Sequence, residues 1–156
     1  MSRSMSAISL MEGQKLPWYV ESLDEYRTSI LSLLKLALFS QRQIRLDYLH
    51  EPGILSNLSK RFSENHIYTY SGSILISVNP YKKLPLYGDK QLKMYHDTPL
   101  GELPPHVFAL ADEAFRLMLV ESKTQSILIS GESGAGKTEA AKQVMNFLAS
   151  KVSMLT

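Results

Sequence analysis

The chain has 156 residues, 44% of them apolar, and its 17 basic and 15 acidic residues leave a formal net charge of +2; this suffices for one ordinary domain and argues against disorder. Neither sign gathers into a long block, so neither a nucleic-acid stripe nor a polybasic membrane patch is predicted. Cysteine is absent, which removes a disulfide framework and any thiolate metal site.

In chain order, residues 1–16 are rich in Ser and Met without periodicity and are read as loose. They contain no apolar run of the roughly 7–15 residues that a secretory signal needs. Ser22 with Glu25 forms a capping-box pattern. The following stripe of Ile30, Leu33, Leu34 and Phe39 predicts an amphipathic helix facing a core or a partner. The same stretch, ILSLLKLALF, is broken by Ser32 and Lys35 and is too short for the roughly 20 apolar residues of a spanning helix. A soluble, intracellular chain is expected.

HEPG at 50–53 reads as a turn, because Pro52 disfavours helix at Glu51 and Gly53 adds freedom. ILSNLSKRF at 54–62 then reads as a short helix, with Ile54, Leu55, Leu58 and Phe62 at spacings of three and four. IYTYSGSILISVN at 67–79 predicts a hairpin around Ser71-Gly72 whose second arm is a buried strand. NPYKKLPLYGD at 79–89 is loop. Pro104-Pro105 suits a helix start, and HVFALADEAFRLMLVE at 106–121 carries the helical pattern. A second SILIS at 126–130 repeats the word at 73–77 and predicts a second buried strand of the same sheet, followed by a loop and a helix over 138–152. Strand, crossover helix, strand, loop, helix is α/β grammar.

Gly131, four intervening residues, Gly136, Lys137 and Thr138 match the phosphate-loop pattern G-x-x-x-x-G-K-[ST] at each fixed position, between a strand and a helix as its mechanism requires. Glycines let backbone N–H groups turn toward an anion, and the start of the helix adds partial positive charge. The candidate ligand-contacting residues are Gly131, Glu132, Ser133, Gly134, Ala135, Gly136, Lys137 and Thr138. Lys137 would face the outer phosphates, and the Thr138 hydroxyl would be an oxygen ligand for Mg²⁺. Neighbouring motifs fail. Ala135 stands where a nucleophile elbow needs its last glycine, and Glu139 stands where a dinucleotide fingerprint needs its third. The four histidines form no i,i+4 pair and predict no zinc site.

The first SILIS, running into NPYKKLPLY, resembles the adenine-binding loop of the myosin motor domain, and GESGAGKTE resembles the phosphate loop of that family. HIYTYSG, the NL-S-K-RF helix before it and GELPPHVFALADEAFRLM after it agree with the family in order and spacing over residues 46–152, in a tone nearest to the class XI and class V transport motors. The resemblance implies a P-loop NTPase-like α/β fold, a partial motor-domain sheet with flanking helices. It also implies ATP and Mg²⁺ as ligands, actin filaments as partner, a cytoplasmic and cytoskeletal setting, and an adenine edge made by Asn79, Pro80 and Tyr87 with Lys82 nearby.

Residues 1–45 do not look like the small β-barrel that often precedes such motors and read as a divergent, partly helical leader ahead of the motor-like part, 46–156. Eighteen residues follow Thr138, so an N-terminal portion ending after the phosphate-loop helix is expected, without the switch segments that position water and the second Mg²⁺ contact. Asp89, Asp97 and Asp112 do not end an apolar strand and are not assigned that role. An isolated chain is expected to bind without turnover and, with unpaired strand edges, to fold poorly alone. Two alternatives remain: a small P-loop kinase or GTPase, and a noncatalytic regulatory fragment that binds a partner through the 30–39 helix.

Overall fold

A computed structural model describes residues 5–12, 51–71 and 73–155. The capping box at Ser22 and the helix expected at 30–39 lie outside these residues. Four strands and four helices follow in the order β1 (Met5–Glu12), α1 (Glu51–Ser63), β2 (Tyr68–Ser71), β3 (Ile74–Val78), α2 (Asp89–Tyr95), α3 (Val107–Glu121), β4 (Gln125–Gly131) and α4 (Lys137–Leu155). No helix among them is long and apolar enough to cross a membrane.

The hairpin forms as its turn residues predict, with Tyr68 opposite Ser77 and Ser71 opposite Ile74. Both SILIS words lie in one sheet, of order β2-β3-β1-β4, and every pairing is antiparallel. Two expectations fail here. Residues 5–12, read as loose, are a strand that separates β3 from β4. And β4 is an edge strand rather than a buried one: its residues alternate in exposure, with Leu128 43% exposed, whereas Leu75, Ile76, Ser77 and Val78 of β3 are all buried. Helices cover one face of β4 and none of the described residues pairs with its outer edge.

Period-two alternation sends Ile8 of β1, Leu75 of β3 and Tyr68 of β2 to the helical side. There they meet Val107, Phe108, Leu110 and Ala111 of α3 and Ala140, Val144 and Phe147 of α4. Phe108 and Phe147 stack with centroids 5.0 Å apart at the centre of this layer. Toward the hairpin, α1 is tied to the sheet by Arg61, whose guanidinium donates to Thr69 Oγ1 and to the Tyr68 carbonyl oxygen, both at 2.9 Å.

Two helix starts differ from expectation. Helix α1 begins at Glu51, so Pro52 and Gly53 lie in its first turn, where proline forfeits no intrahelical bond. Pro104 and Pro105 precede α3 rather than opening it. The cap is His106, whose Nδ1 accepts from the Phe108 amide at 3.1 Å. The ring's other nitrogen, Nε2, lies 3.0 Å from the Leu86 carbonyl oxygen. An amide can only donate and a carbonyl only accept, so these partners fix the neutral tautomer with the proton on Nε2.

His106 is 4% exposed and stacks on Tyr95 at 4.8 Å. Burial pushes its pKa from 6.5 down to about 4, against a smaller opposite pull from the Leu86 hydrogen bond. Because the folded value lies below the unfolded one, the stability tied to the neutral ring is complete above pH 6.5 and declines as pH falls toward 4. From this group the chain is expected to lose roughly 2 kcal/mol by pH 5. Urea midpoints that fall from about pH 6.5 downward, above the range in which carboxylates titrate, would bear this out; a profile flat from pH 7 to 5 would contradict it.

Candidate functional site

The phosphate-loop motif occupies the turn between β4 and α4. The apolar strand ends at Gly131, and α4 starts at Lys137, with the Ala140 amide donating to the Gly136 carbonyl at 2.9 Å as its first helical bond. The amides ahead of Ala140 in the first turn therefore have no intrahelical acceptor. Gly134 and Gly136 adopt φ of 77° and 90°, a region in which side chains bring strain. Ala135 lies between them, 2% exposed, and its amide closes a turn onto the Glu132 carbonyl at 3.2 Å. Its methyl anchors the loop from below while Glu132, Ser133 and Gly134 are exposed.

The Lys137 ammonium is folded over the loop, donating to the carbonyl oxygens of Gly131 at 2.7 Å and Glu132 at 2.8 Å. It is half-buried, so its charge stands at the loop rather than in bulk water. Thr138 is exposed in the first turn of α4. The arrangement gathers a cation, a hydroxyl and free amides at the positive end of a 19-residue helix, which is the chemistry of anion capture. Among the described residues no group of three or more His, Asp or Glu could hold a metal ion on its own.

The segment 79–87 leaves β3 beside this loop. Asn79 joins the two: its Nδ2 donates to the Gly134 carbonyl at 2.7 Å, and its Oδ1 accepts from the Tyr81 amide at 2.9 Å. The second bond holds a turn in which Tyr81 has φ of 50°. Pro80 is half-buried and Lys82 exposed. Tyr87 packs inward, its hydroxyl 2.7 Å from that of Tyr68 and its ring 5.6 Å from His106 and 6.1 Å from Phe108. Burial pushes both phenols above their ordinary value, so this bond joins neutral groups. Tyr87 thus fastens the floor of the loop to the core, and His106 does the same through Leu86.

All eight motif residues are therefore together, and Asn79 is with them. Tyr87 lies behind its loop. The tie between Asn79 and Gly134 spans 55 positions, and no local pattern announces it.

The myosin head (motor domain) family model matches residues 41–155. Among curated proteins of Arabidopsis thaliana, Myosin-7 is 58% identical over 106 residues and Myosin-13 is 59% identical over 105 residues. Each alignment covers 67% of this chain, but 6% of Myosin-7 and 7% of Myosin-13. The chain thus corresponds to a small part of the length of these relatives.

Proposed function

The chain belongs to the myosin motor-domain family, and from that premise we propose that it forms the nucleotide-binding portion of an actin-based motor, P-loop NTPase-like in architecture and of the class XI or class V transport type. The observation that carries the reading is the 2.7 Å bond from Asn79 to Gly134, which brings the segment resembling an adenine loop against the phosphate loop. One nucleotide would then span both. The base would lie along the 79–87 segment, whose prolines and aromatic floor give it a rigid, partly apolar wall. The phosphates would lie over the amides of 137–139, which have no intrahelical acceptor, and the Lys137 ammonium.

The donor set fits a magnesium nucleotide. Thr138 offers an exposed hydroxyl in the first turn of α4, and Mg²⁺ held there would neutralise phosphate charge. The chain's own residues bind and orient. Asp112, a buried carboxylate of α3, is committed to Lys151, and the exposed Asp97 also pairs with that lysine; neither is assigned a role as a further Mg²⁺ contact. Binding without measurable hydrolysis is the behaviour proposed for this chain alone. Movement along actin filaments and a cytoplasmic, cytoskeletal setting are proposed for the longer protein that the relatives represent.

Titration with a fluorescent ATP analogue, with and without Mg²⁺, tests the proposal. Saturable binding that tightens with Mg²⁺ is expected, with no phosphate release above blank. No saturation at millimolar nucleotide would contradict it and would favour an interaction role.

A further inference from the structure

β3 and β4 both lie within residues 41–155, the part matched by the family, yet they do not pair with each other. Between them runs β1, from outside that part, antiparallel to both. Its pairings reach the two points from which the candidate loops depart. Met5 pairs with Val78, the residue before Asn79, and Ser6 pairs with both Ser77 and Gly131.

The approach is closest at Gly131. A Cβ there would stand 2.6 Å from the Met5 carbonyl oxygen and 3.0 Å from Ser6 Cα, closer than such atoms pack. The first glycine of the phosphate loop is thus required by the backbone of β1 as well as by any ligand. Ile8 anchors the strand: it is fully buried, opposite Leu75 on one side and Ile129 on the other. The Ser6 hydroxyl is buried with no hydrogen-bond partner among the described residues, so the ladder and Ile8 hold β1 in place.

We infer that residues 5–12 are a positioning strand, supplied from outside the family-matched part, which sets the spacing between the 79–87 segment and the phosphate loop and so sets nucleotide affinity. The inference rests on the nucleotide-binding reading above. Two strands that flank a third are about 9.5 Å apart, and two that pair directly are about 4.8 Å apart. Loss of β1 lets β3 and β4 drift or close by several ångströms, whereas the Asn79–Gly134 bond tolerates only a few tenths. The loops cannot keep their present relation without it.

The absence of native cysteine makes the test direct. Ala7 and Ser130 are opposed across β1 and β4, so the full chain carrying Ala7→Cys and Ser130→Cys should close an intramolecular disulfide with diamide, read as the loss of two hydrogens by mass. Separately, Ile8→Asp should weaken binding of a fluorescent ADP by about tenfold, equivalent to about 1.4 kcal/mol, and adding the 7–130 crosslink to that variant should restore it. Should Ile8→Asp not fold, Ile8→Ala in a chain that still melts cooperatively gives the same reading with a smaller loss. Failure of the crosslink to form overturns the placement of β1 whether or not nucleotide binds. Unchanged affinity in a folded Ile8 variant overturns its positioning role. A chain that crosslinks yet binds no nucleotide unmodified contradicts the nucleotide reading and leaves β1 where it is.

Discussion

Replacing Lys151 by alanine is expected to destabilise the chain by about 3–5 kcal/mol, the cost of stranding a buried charge. Lys151 is 6% exposed and its ammonium is held between Asp112 of α3, itself 2% exposed, and Asp97 in the segment after α2 at 2.8 Å. The ring of Phe115 lies 5.5 Å below the ammonium. Burial depresses the lysine, but the hydrogen bonds and charges of Asp112 and Asp97 outweigh it and hold the ammonium above its ordinary value. The same hydrogen bond pulls Asp97 below its own. Without Lys151, the Asp112 carboxylate, 2% exposed, keeps one donor among the described residues, the Asp97 amide at 3.2 Å. Urea unfolding measures the loss. A companion variant carrying both Lys151→Met and Asp112→Asn should recover most of it, because neither member is then charged. A change below about 1 kcal/mol in Lys151→Ala would show that water reaches the pair.

Lys137→Ala is expected to weaken nucleotide binding by about 10- to 100-fold while leaving the melt within a few degrees. The lysine's two bonds in the free chain go to carbonyls of the half-buried Gly131 and the exposed Glu132, where water replaces much of what is lost, whereas a charged hydrogen bond to bound phosphate is worth about 1.5–3 kcal/mol. A bound phosphate would offer the ammonium stronger acceptors than those carbonyls, so the loss falls mainly on the complex. Lys137→Arg keeps the charge in a larger, planar group and should recover only part of the affinity. Titration of the three chains under one salt concentration reads the difference. An affinity within about twofold of the unmodified chain in Lys137→Ala would remove the lysine from the site.

The features legible in the sequence were those whose signal is local. Residues 131–138 announce a strand, a glycine turn and a helix within a single stretch, and the hairpin around 71–73 is marked by β-branched and aromatic runs on either side of Ser-Gly. The features missed depend on partners far along the chain. MSAISLME contains one β-branched residue, Ile8, and its place is decided by pairing with strands that begin at Ile74 and Gln125. The two SILIS words are identical, yet one is buried and the other half-exposed, because neighbours in the sheet and helices over it set burial. Asp112 and Lys151 are 39 positions apart, and in sequence each looks like an ordinary charge on a helix. Tyr87 is placed at an adenine edge by resemblance alone, and the bond of its hydroxyl to that of Tyr68, 19 residues earlier, has no local signal. Pro52 looks like a break because a proline inside a helix and one in its first turn are the same letter.

The most direct test of the central claim, that two separate loops form one nucleotide site, is a backbone amide NMR titration of the full chain with magnesium ADP. The account predicts that signals from 131–138 and from 79–87 move together and saturate at a single concentration. Movement confined to the phosphate loop, or two sets that saturate at different concentrations, would contradict it.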